Sequence, residues 1–380
     1  MPKLTLNDIC QYRNENMLST DLSDNVYIST ETMQPNREGI SSSDIVTPTT
    51  KKVKAFYPGD ILVSNIRPYF KKIWRATFAG GCSNDVLVFS PKCNSEYLYW
   101  LLSTDSFFNY MMATSKGTKM PRGDKKAIMK YIVPDHSDKE QRQIASFLNP
   151  LQNKIALNNR INDYLAETAV ALFNRECSQS NEPNAMLSDI AQITMGQSPS
   201  GSSYNEEGDG EVFYQGRAEF GAFFPRRRLF TTKPKRMAQE GDTLMSVRAP
   251  VGDLNIANEN CCIGRGLAAI HSENNQSFVH YLVRAQRRIL NTFNGDGTVF
   301  GSINGKALKE LPVFLPGNDV IAHLESQLKS IDELIRRNDD EMQALEQMRD
   351  TLLPRLMSGE IDVSQIEVPK QLNNHLCDYS

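Results

Sequence analysis

A glutamine and an arginine stand two residues apart, Gln215 and Arg217, where the run Phe213-Tyr-Gln-Gly-Arg217 leaves a predicted strand at a glycine. Both side chains form paired hydrogen bonds with base edges, glutamine with adenine and arginine with guanine. Three phenylalanines follow, Phe220, Phe223 and Phe224, and then Arg226, Arg227 and Arg228, with Lys233, Lys235 and Arg236 close behind and Arg248 further on. Cations of this kind bind phosphates and set the position of a domain without carrying sequence information. In the N-terminal half the counterparts are Arg67, Lys71, Lys72 and Arg75, then Lys119, Arg122, Lys125 and Lys126. The alternative for each is a solvated surface charge.

The motifs of catalysis are missing. The chain has no Gly-x-Gly-x-x-Gly, no phosphate loop ending in Gly-Lys-Ser/Thr, no Gly-x-Ser-x-Gly and no Asn/Asp-Pro-Pro-Tyr. Five scattered histidines and no Cys-x-x-Cys argue against zinc, so no metal and no cofactor is expected in this chain. Glu206, Glu207, Asp209 and Glu211, interspersed with Gly201, Ser202, Ser203 and Gly208, read as an acidic loop. Seven irregularly spaced cysteines suit reduced thiols in a cytoplasmic protein. No run reaches the ~18 apolar residues of a membrane span, and the N-terminus has no apolar leader.

The net charge of −3 hides segregation. Residues 51–75 hold seven basic and one acidic residue, 116–130 six and one, and 217–248 eight and three. Residues 318–362 reverse this, with eleven acidic and five basic. Local basic patches on a near-neutral chain suggest contact with a polyanion.

The elements that must carry these residues come in two sets. Residues 1–135 form a mixed domain, with strands expected at Asn25–Ser29, Ile61–Ser64 and Asp85–Phe89 and a helix at Ser95–Thr104. Residues 136–177 form a long helix opened by a capping sequence at Ser137–Glu140. Its seam holds Leu148, Ile155, Asn162 and Ala169 at one position and Ile144, Leu151, Asn158, Leu165 and Leu172 at the other. Pro150 is expected to kink or interrupt it near its start. A linker at Ser178–Pro183 opens the second mixed domain, 178–316, with strands at Glu211–Tyr214, Thr243–Val247 and Leu267–Ile270. A second long helix spans 317–358, and 359–380 form a tail. Its seam holds Leu328, Ile335, Met342 and Arg349, and Leu324, Ile331, Asn338, Leu345 and Leu352. The fold class is therefore α+β: two mixed α/β domains and two long helices pairing as an antiparallel coiled coil. About 35 residues of helix span roughly 50 Å, enough to hold two reading heads one to two duplex turns of ~34–36 Å apart.

The two sets are one design. Gly117-Thr118 recurs as Gly297-Thr298 and Lys126-Ala127 as Lys306-Ala307, each 180 residues on, and the seam residues follow at that spacing. Gly59-Asp60-Ile-Leu-Val-Ser64 returns 182 residues later as Gly241-Asp-Thr-Leu-Met-Ser246. Asn158 and Asn338 share a seam position, and a buried amide there fixes register at a cost in packing.

These stretches resemble the specificity subunit of Type I restriction–modification enzymes. The likeness rests on Tyr27-Ile-Ser-Thr30, Gly59–Trp74, Gly80–Phe89, Gly241–Gly252 and Ile263-Gly-Arg-Gly266, which look like target-recognition domains, and on Lys139–Ala145, which is similar to the stretch opening the family's central helix. The resemblance implies a non-catalytic subunit. Each domain would read half of a split double-stranded DNA target, and the helices would offer docking surfaces to two modification (methyltransferase) subunits. Those partners would supply S-adenosylmethionine, and restriction/translocase subunits ATP and Mg. The second helix departs from the pattern, reading Gly317-Asn-Asp-Val-Ile-Ala322 without the Glu-Gln pair. The rival readings are a coiled-coil scaffold and the specificity portion of a diverged fused enzyme.

Overall fold

In the computed structural model the internal repeat becomes a repeated sheet. The structure describes residues 3–22, 26–41, 48, 50–177, 182–295 and 301–363. The repeat pair Gly297-Thr298, most of the linker, and the tail beyond 363 lie outside the described residues. The chain divides into two compact units, residues 1–157 with 341–380, and residues 158–340.

In the first unit the strands are β1 (Cys10–Tyr12), β2 (Asn16–Leu18), β3 (Tyr27–Ile28), β4 (Lys52–Phe56), β5 (Ile61–Ser64), β6 (Ile73–Arg75), β7 (Gly80–Cys82) and β8 (Val86–Pro91). They form two four-stranded sheets, β1-β8-β5-β6 and β2-β4-β7-β3. The short helix α1 (Leu6–Ile9) precedes them, and α2 (Ser95–Leu102), α3 (Asp105–Ala113) and α4 (Lys125–Ile128) follow. The sequence of β5 is apolar without alternation because both faces are covered. Ile61 and Val63 join the core under α2 and α3, with Leu87 and Phe89. Leu62 points the other way, into a core shared with Phe56, Val86 and Val88.

The second unit repeats this frame. Its strands begin with β9 (Ala185–Met186), β10 (Gln192–Met195), β11 (Tyr204–Asn205), β12 (Glu211–Tyr214), β13 (Leu229–Thr231) and β14 (Met237–Ala238). They continue with β15 (Thr243–Ser246), β16 (Leu254–Ile256), β17 (Cys261–Ile263), β18 (Leu267–His271) and β19 (Pro312–Val313). The order β10-β18-β15-β16 matches β1-β8-β5-β6 strand for strand. Met245, Ala268 and Ile270 face one core, and Leu244, Leu267 and Ala269 the other. The helices are α6 (Gln276–Ala285), α7 (Arg287–Asn291) and α8 (Gly305–Lys309).

The second sheets share a kernel and then part. In one, β7 pairs parallel with β3 and antiparallel with β4. In the other, β17 pairs parallel with β12 and antiparallel with β14. Beyond that, β2 extends β4 in the first unit, while β13 and β11 extend β12 in the second. The Gly-Asp motif is the common turn into the frame. Gly59 and Gly241 take φ +90 and +89, a region that favours glycine. The buried carboxylates behind them accept backbone N–H groups, Asp60 from Tyr57 and Asp242 from Gln239. Asp60 also takes a two-pronged bond from Arg13, at 2.6 and 2.9 Å. Asp242 contacts His271 at 2.6 Å.

Two long helices, α5 (Asp138–Glu176) and α9 (Asn318–Met357), contribute to both units. The predicted cap is formed: Ser137 and Glu140 exchange hydrogen bonds at the start of α5. Of the kink or interruption expected at Pro150, the interruption is absent, and the helix runs through it. Pro150 lies on the exposed face, where water can solvate the carbonyl that its missing N–H would have engaged. Leu148 and Leu151 on the opposite side are held in the core.

Within each unit the helices pack antiparallel. In the first, Gln152 meets Arg349 and Lys154 meets Glu341. In the second, Asn162 donates to the Ile335 carbonyl and Asn158 to that of Asn338. Leu148, Ile155, Leu328 and Ile335 are buried at the seam, while Leu151, Leu165, Ile331 and Leu345 are half-buried. The polar register device differs from a mirror pair: the Asn338 amide donates to Asn162 Oδ1 at 2.8 Å. Residue 342, the repeat counterpart of Asn162, is methionine, so the lock is asymmetric. Among the described residues no helix is long and apolar enough to cross a membrane.

Candidate nucleic-acid interface

Most basic residues predicted to meet a polyanion sit on loops leaving the strand ends of each frame, with Arg75 ending β6 and Lys125 and Lys126 on α4. In the first unit the chain leaves β5 at Asn65, whose N–H donates to the Asp85 carbonyl. Arg67 then enters the left-handed region and its N–H donates to Pro121, in the neighbouring 116–122 segment. A single 3-10 turn, Pro68–Phe70, follows, and Lys71 closes it, again left-handed. A second loop supports this turn. Asn36 and Arg37, both left-handed, donate their N–H groups to the carbonyls of Phe70 and Lys71. Four non-glycine residues at positive φ in one place represent stored strain of order 1–3 kcal/mol each. Side-chain bonds hold them: buried Arg37 donates to the Ser103 carbonyl and to Asp105, and Asp105 also takes Lys71 Nζ at 2.8 Å.

These pairings sort the predicted cations. Lys71 pairs with Asp105, which it shares with Arg37. Lys72 donates to the Thr30 carbonyl at 2.7 Å, and burial pushes its pKa down. Arg122 pairs with Asp85 at 3.2 Å. Arg67 is partly buried, with Nε lacking a hydrogen-bond partner. Lys119 and Lys125 are exposed.

In the second unit Gln215 leaves β12 exposed. The Gly264-Arg-Gly266 stretch makes this exit possible. A Cβ at Gly264 or Gly266 would fall 2.7 or 2.9 Å from the Gln215 carbonyl oxygen. Arg217 pairs with Asp253, which also meets Arg287 at 3.3 Å. Buried Glu219 is the loop's pivot: it accepts the Gly216 N–H at 3.1 Å and pairs with Arg228. Arg227 makes a two-pronged bond to Glu259, at 2.5 and 2.7 Å, which raises its pKa. Phe224 is buried against Ala166 and Ile335 with Phe223 beside it, anchoring the loop to the long helices, while Phe220 packs on the sheet core. Lys235 and Arg248 are exposed.

Beside this loop lies a cleft of about 650 Å³, lined by Phe173, Arg217, Asp253, Tyr281, Arg284 and Arg287 among others. Among the described residues no group of three or more His, Cys, Asp and Glu is placed to hold a metal ion. The acidic loop folds as a turn in which Asn205 Oδ1 accepts the N–H groups of Gly208 and Asp209. Sequence reading did not single out the acids that hold the arginines, Glu219, Asp253 and Glu259. Two of them lie 32 and 36 residues from their partners in sequence, and no local signal connects them.

Two copies of one mixed sheet frame, each presenting basic loops and both built on shared antiparallel helices, define a two-domain nucleic-acid-recognition protein. The Type I restriction modification DNA specificity domain matches residues 2–167 and again 184–343, and the chain belongs to that family. It is similar to the putative type I restriction enzyme MjaX specificity subunit of Methanocaldococcus jannaschii, 32% identical over 72% of this chain and 69% of that one. It is also similar to the HindI specificity subunit of Haemophilus influenzae, 22% identical over 81% and 88%. A crystal structure of the Type-I restriction–modification S subunit from M. genitalium superposes with a TM-score of 0.54, at 17% identity, over 93% of this chain and 95% of that one.

Proposed function

We propose that this chain is the DNA-specificity subunit of a Type I restriction–modification complex, reading a two-part duplex target with one domain per half. The observation that carries this is the repeated frame with unlike loops. Strand order is the same in β1-β8-β5-β6 and β10-β18-β15-β16, yet the loops it presents differ in length, fold and charge pairing. One scaffold used twice with different reading loops suits an asymmetric target. Gln215 is the base reader of the second domain, and Arg217 joins it only by exchanging Asp253 for a base edge. Lys119, Lys125, Lys235 and Arg248 contact phosphates. The ion-paired Arg227 and Arg228 shape the loop first, and reach phosphate only by exchanging carboxylate for it.

The chain does no chemistry itself. Modification subunits, docked along α5 and α9, bring S-adenosylmethionine and methylate adenine. Restriction/translocase subunits joined to the same complex bring ATP and Mg. The test is duplex binding across a salt series, with and without the modification subunits. Binding should be weak alone and strong in the complex, and its logarithm should fall linearly with log salt. Mapping methylated adenines in cells carrying the system should show a split motif. Methylation by the chain alone, or a single undivided motif, overturns the reading.

A further inference from the structure

The turn at Pro68–Phe70 carries a feature that phosphate binding leaves unexplained. Tyr69 and Phe70 are 48% and 38% exposed, with ring centroids 4.6 Å apart. Met120, 46% exposed, stands next to Pro121, whose carbonyl receives the Arg67 N–H. The second unit makes a like backbone contact at this place, although its Ala249–Pro250 bond is cis. Ala249 N–H donates to Gly301 as Arg67 N–H does to Pro121, and Pro250 follows as Pro68 does. There, however, the next residue is Val251, only 2% exposed and fixed by Asn294. Among the described residues, outward rings at this turn occur in the first domain alone.

Left-handed backbone is uncommon for residues other than glycine. Here Asn36, Arg37, Arg67 and Lys71 all adopt that conformation around this one turn. The Arg37–Asp105–Lys71 network, anchored by buried Arg37, fixes it. Such strain, held by surrounding structure, marks ligand-contacting loops. The neighbouring exposed cations, Lys119, Lys125 and Lys126, specify a polyanionic occupant. Two rigid aromatic rings projecting among cations match the chemistry of duplex DNA, in which apolar side chains pack on bases or enter a base step.

We infer that Tyr69 and Phe70 form an aromatic tip with which the first domain touches bases of its half-site. The inference rests on the DNA-specificity reading above. It assigns base recognition in the first domain to apolar contact, where the surrounding cations only position.

The experiment uses the full chain assembled with its modification subunits and a synthetic duplex pool with randomised positions. Bound duplexes are selected and sequenced for wild type, for Tyr69→Ala with Phe70→Ala, and for Lys119→Glu with Lys125→Glu. Wild type should yield a two-part consensus. The aromatic variant should lose preference at one to three adjacent positions of one half and keep the other half. Its affinity for the wild-type consensus should fall about 5- to 100-fold, the range of base–aromatic contacts, with the salt slope unchanged. The charge variant should keep the consensus and lower the slope. An aromatic variant with the wild-type consensus and affinity overturns the inference while leaving the specificity reading intact. No consensus from wild type overturns that reading instead. If the double variant fails to assemble, Tyr69→Ala alone, at the more exposed ring, is read by the same criteria.

Discussion

Replacing Asp332 by asparagine should stabilise the second unit at neutral pH and leave it unchanged in mild acid. Asp332 lies on α9, where its Oδ1 accepts the Tyr281 hydroxyl of α6 at 2.8 Å. Burial pushes its pKa from 3.8 up to about 6; hydrogen bonds from Ser277 and Tyr281 oppose this, and the nearby Glu325 adds to it. Glu325 is itself committed, since it accepts the Ser277 and Phe278 N–H groups that open α6. The native state therefore holds a proton on Asp332 up to about pH 6, whereas the unfolded chain releases it near 3.8. This group's contribution is most favourable below pH ~4 and is lost as pH rises through 6. At 1.36 kcal/mol per unit of pKa the difference approaches 3 kcal/mol; because the carboxylate is only partly buried, about 2 kcal/mol is expected. Asparagine keeps an oxygen for Tyr281 and carries no charge. Urea unfolding followed by far-ultraviolet circular dichroism at pH 7.5 and pH 4 measures the gap between variant and wild type. With a slope of about 2–3 kcal/mol/M for a unit of this size, the midpoint should rise by nearly 1 M at pH 7.5. At pH 4 the two curves should coincide. An equal gap at both pH values, or a variant less stable at pH 7.5, refutes the electrostatic account of this contact.

Three further outcomes follow from particular contacts. Asp60→Ala removes the partner of Arg13 and the acceptor of the Tyr57 N–H; the first unit should lose about 3 kcal/mol, the low end for a buried pair because Arg13 is itself 24% exposed. Chemical denaturation resolves this, and a loss below 1 kcal/mol contradicts the role given to the Gly-Asp turn. Asn162→Ala strands the Asn338 amide and frees the Ile335 carbonyl, so it should cost about 1–3 kcal/mol by the same measurement. Gly264→Ala drives a methyl group to 2.7 Å from the Gln215 carbonyl. It should destabilise the second unit by about 1–3 kcal/mol and weaken binding of the assembled complex to its selected duplex, with unaltered binding as the contrary result.

The sequence by itself determined what depends on local pattern. The offset of Gly59-Asp60 and Gly241-Asp242 announced two like domains because a left-handed turn into a buried strand needs those residues wherever it is built. The apolar spacing of 138–176 and 318–357 defined the long helices because only a helix brings residues three and four apart onto one face. Even so, Pro150 misled: propensity counts a missing N–H as a break, and a packed apolar face with solvent opposite overrides it. The tertiary structure alone decided which cations are available for a polyanion. Lys71, Arg217, Arg227 and Arg228 looked like Lys119 and Lys125 as letters in a chain. Asp105, Asp253 and Glu259 reach their cations from elsewhere in the chain, up to 36 residues away, and Glu219 from the far end of the same loop. Charge in a sequence is a property of one residue, whereas its availability depends on every group within a few ångströms. The asymmetric asparagine lock and the outward rings of Tyr69 and Phe70 belong to the same class, set by contacts that only the folded chain brings together.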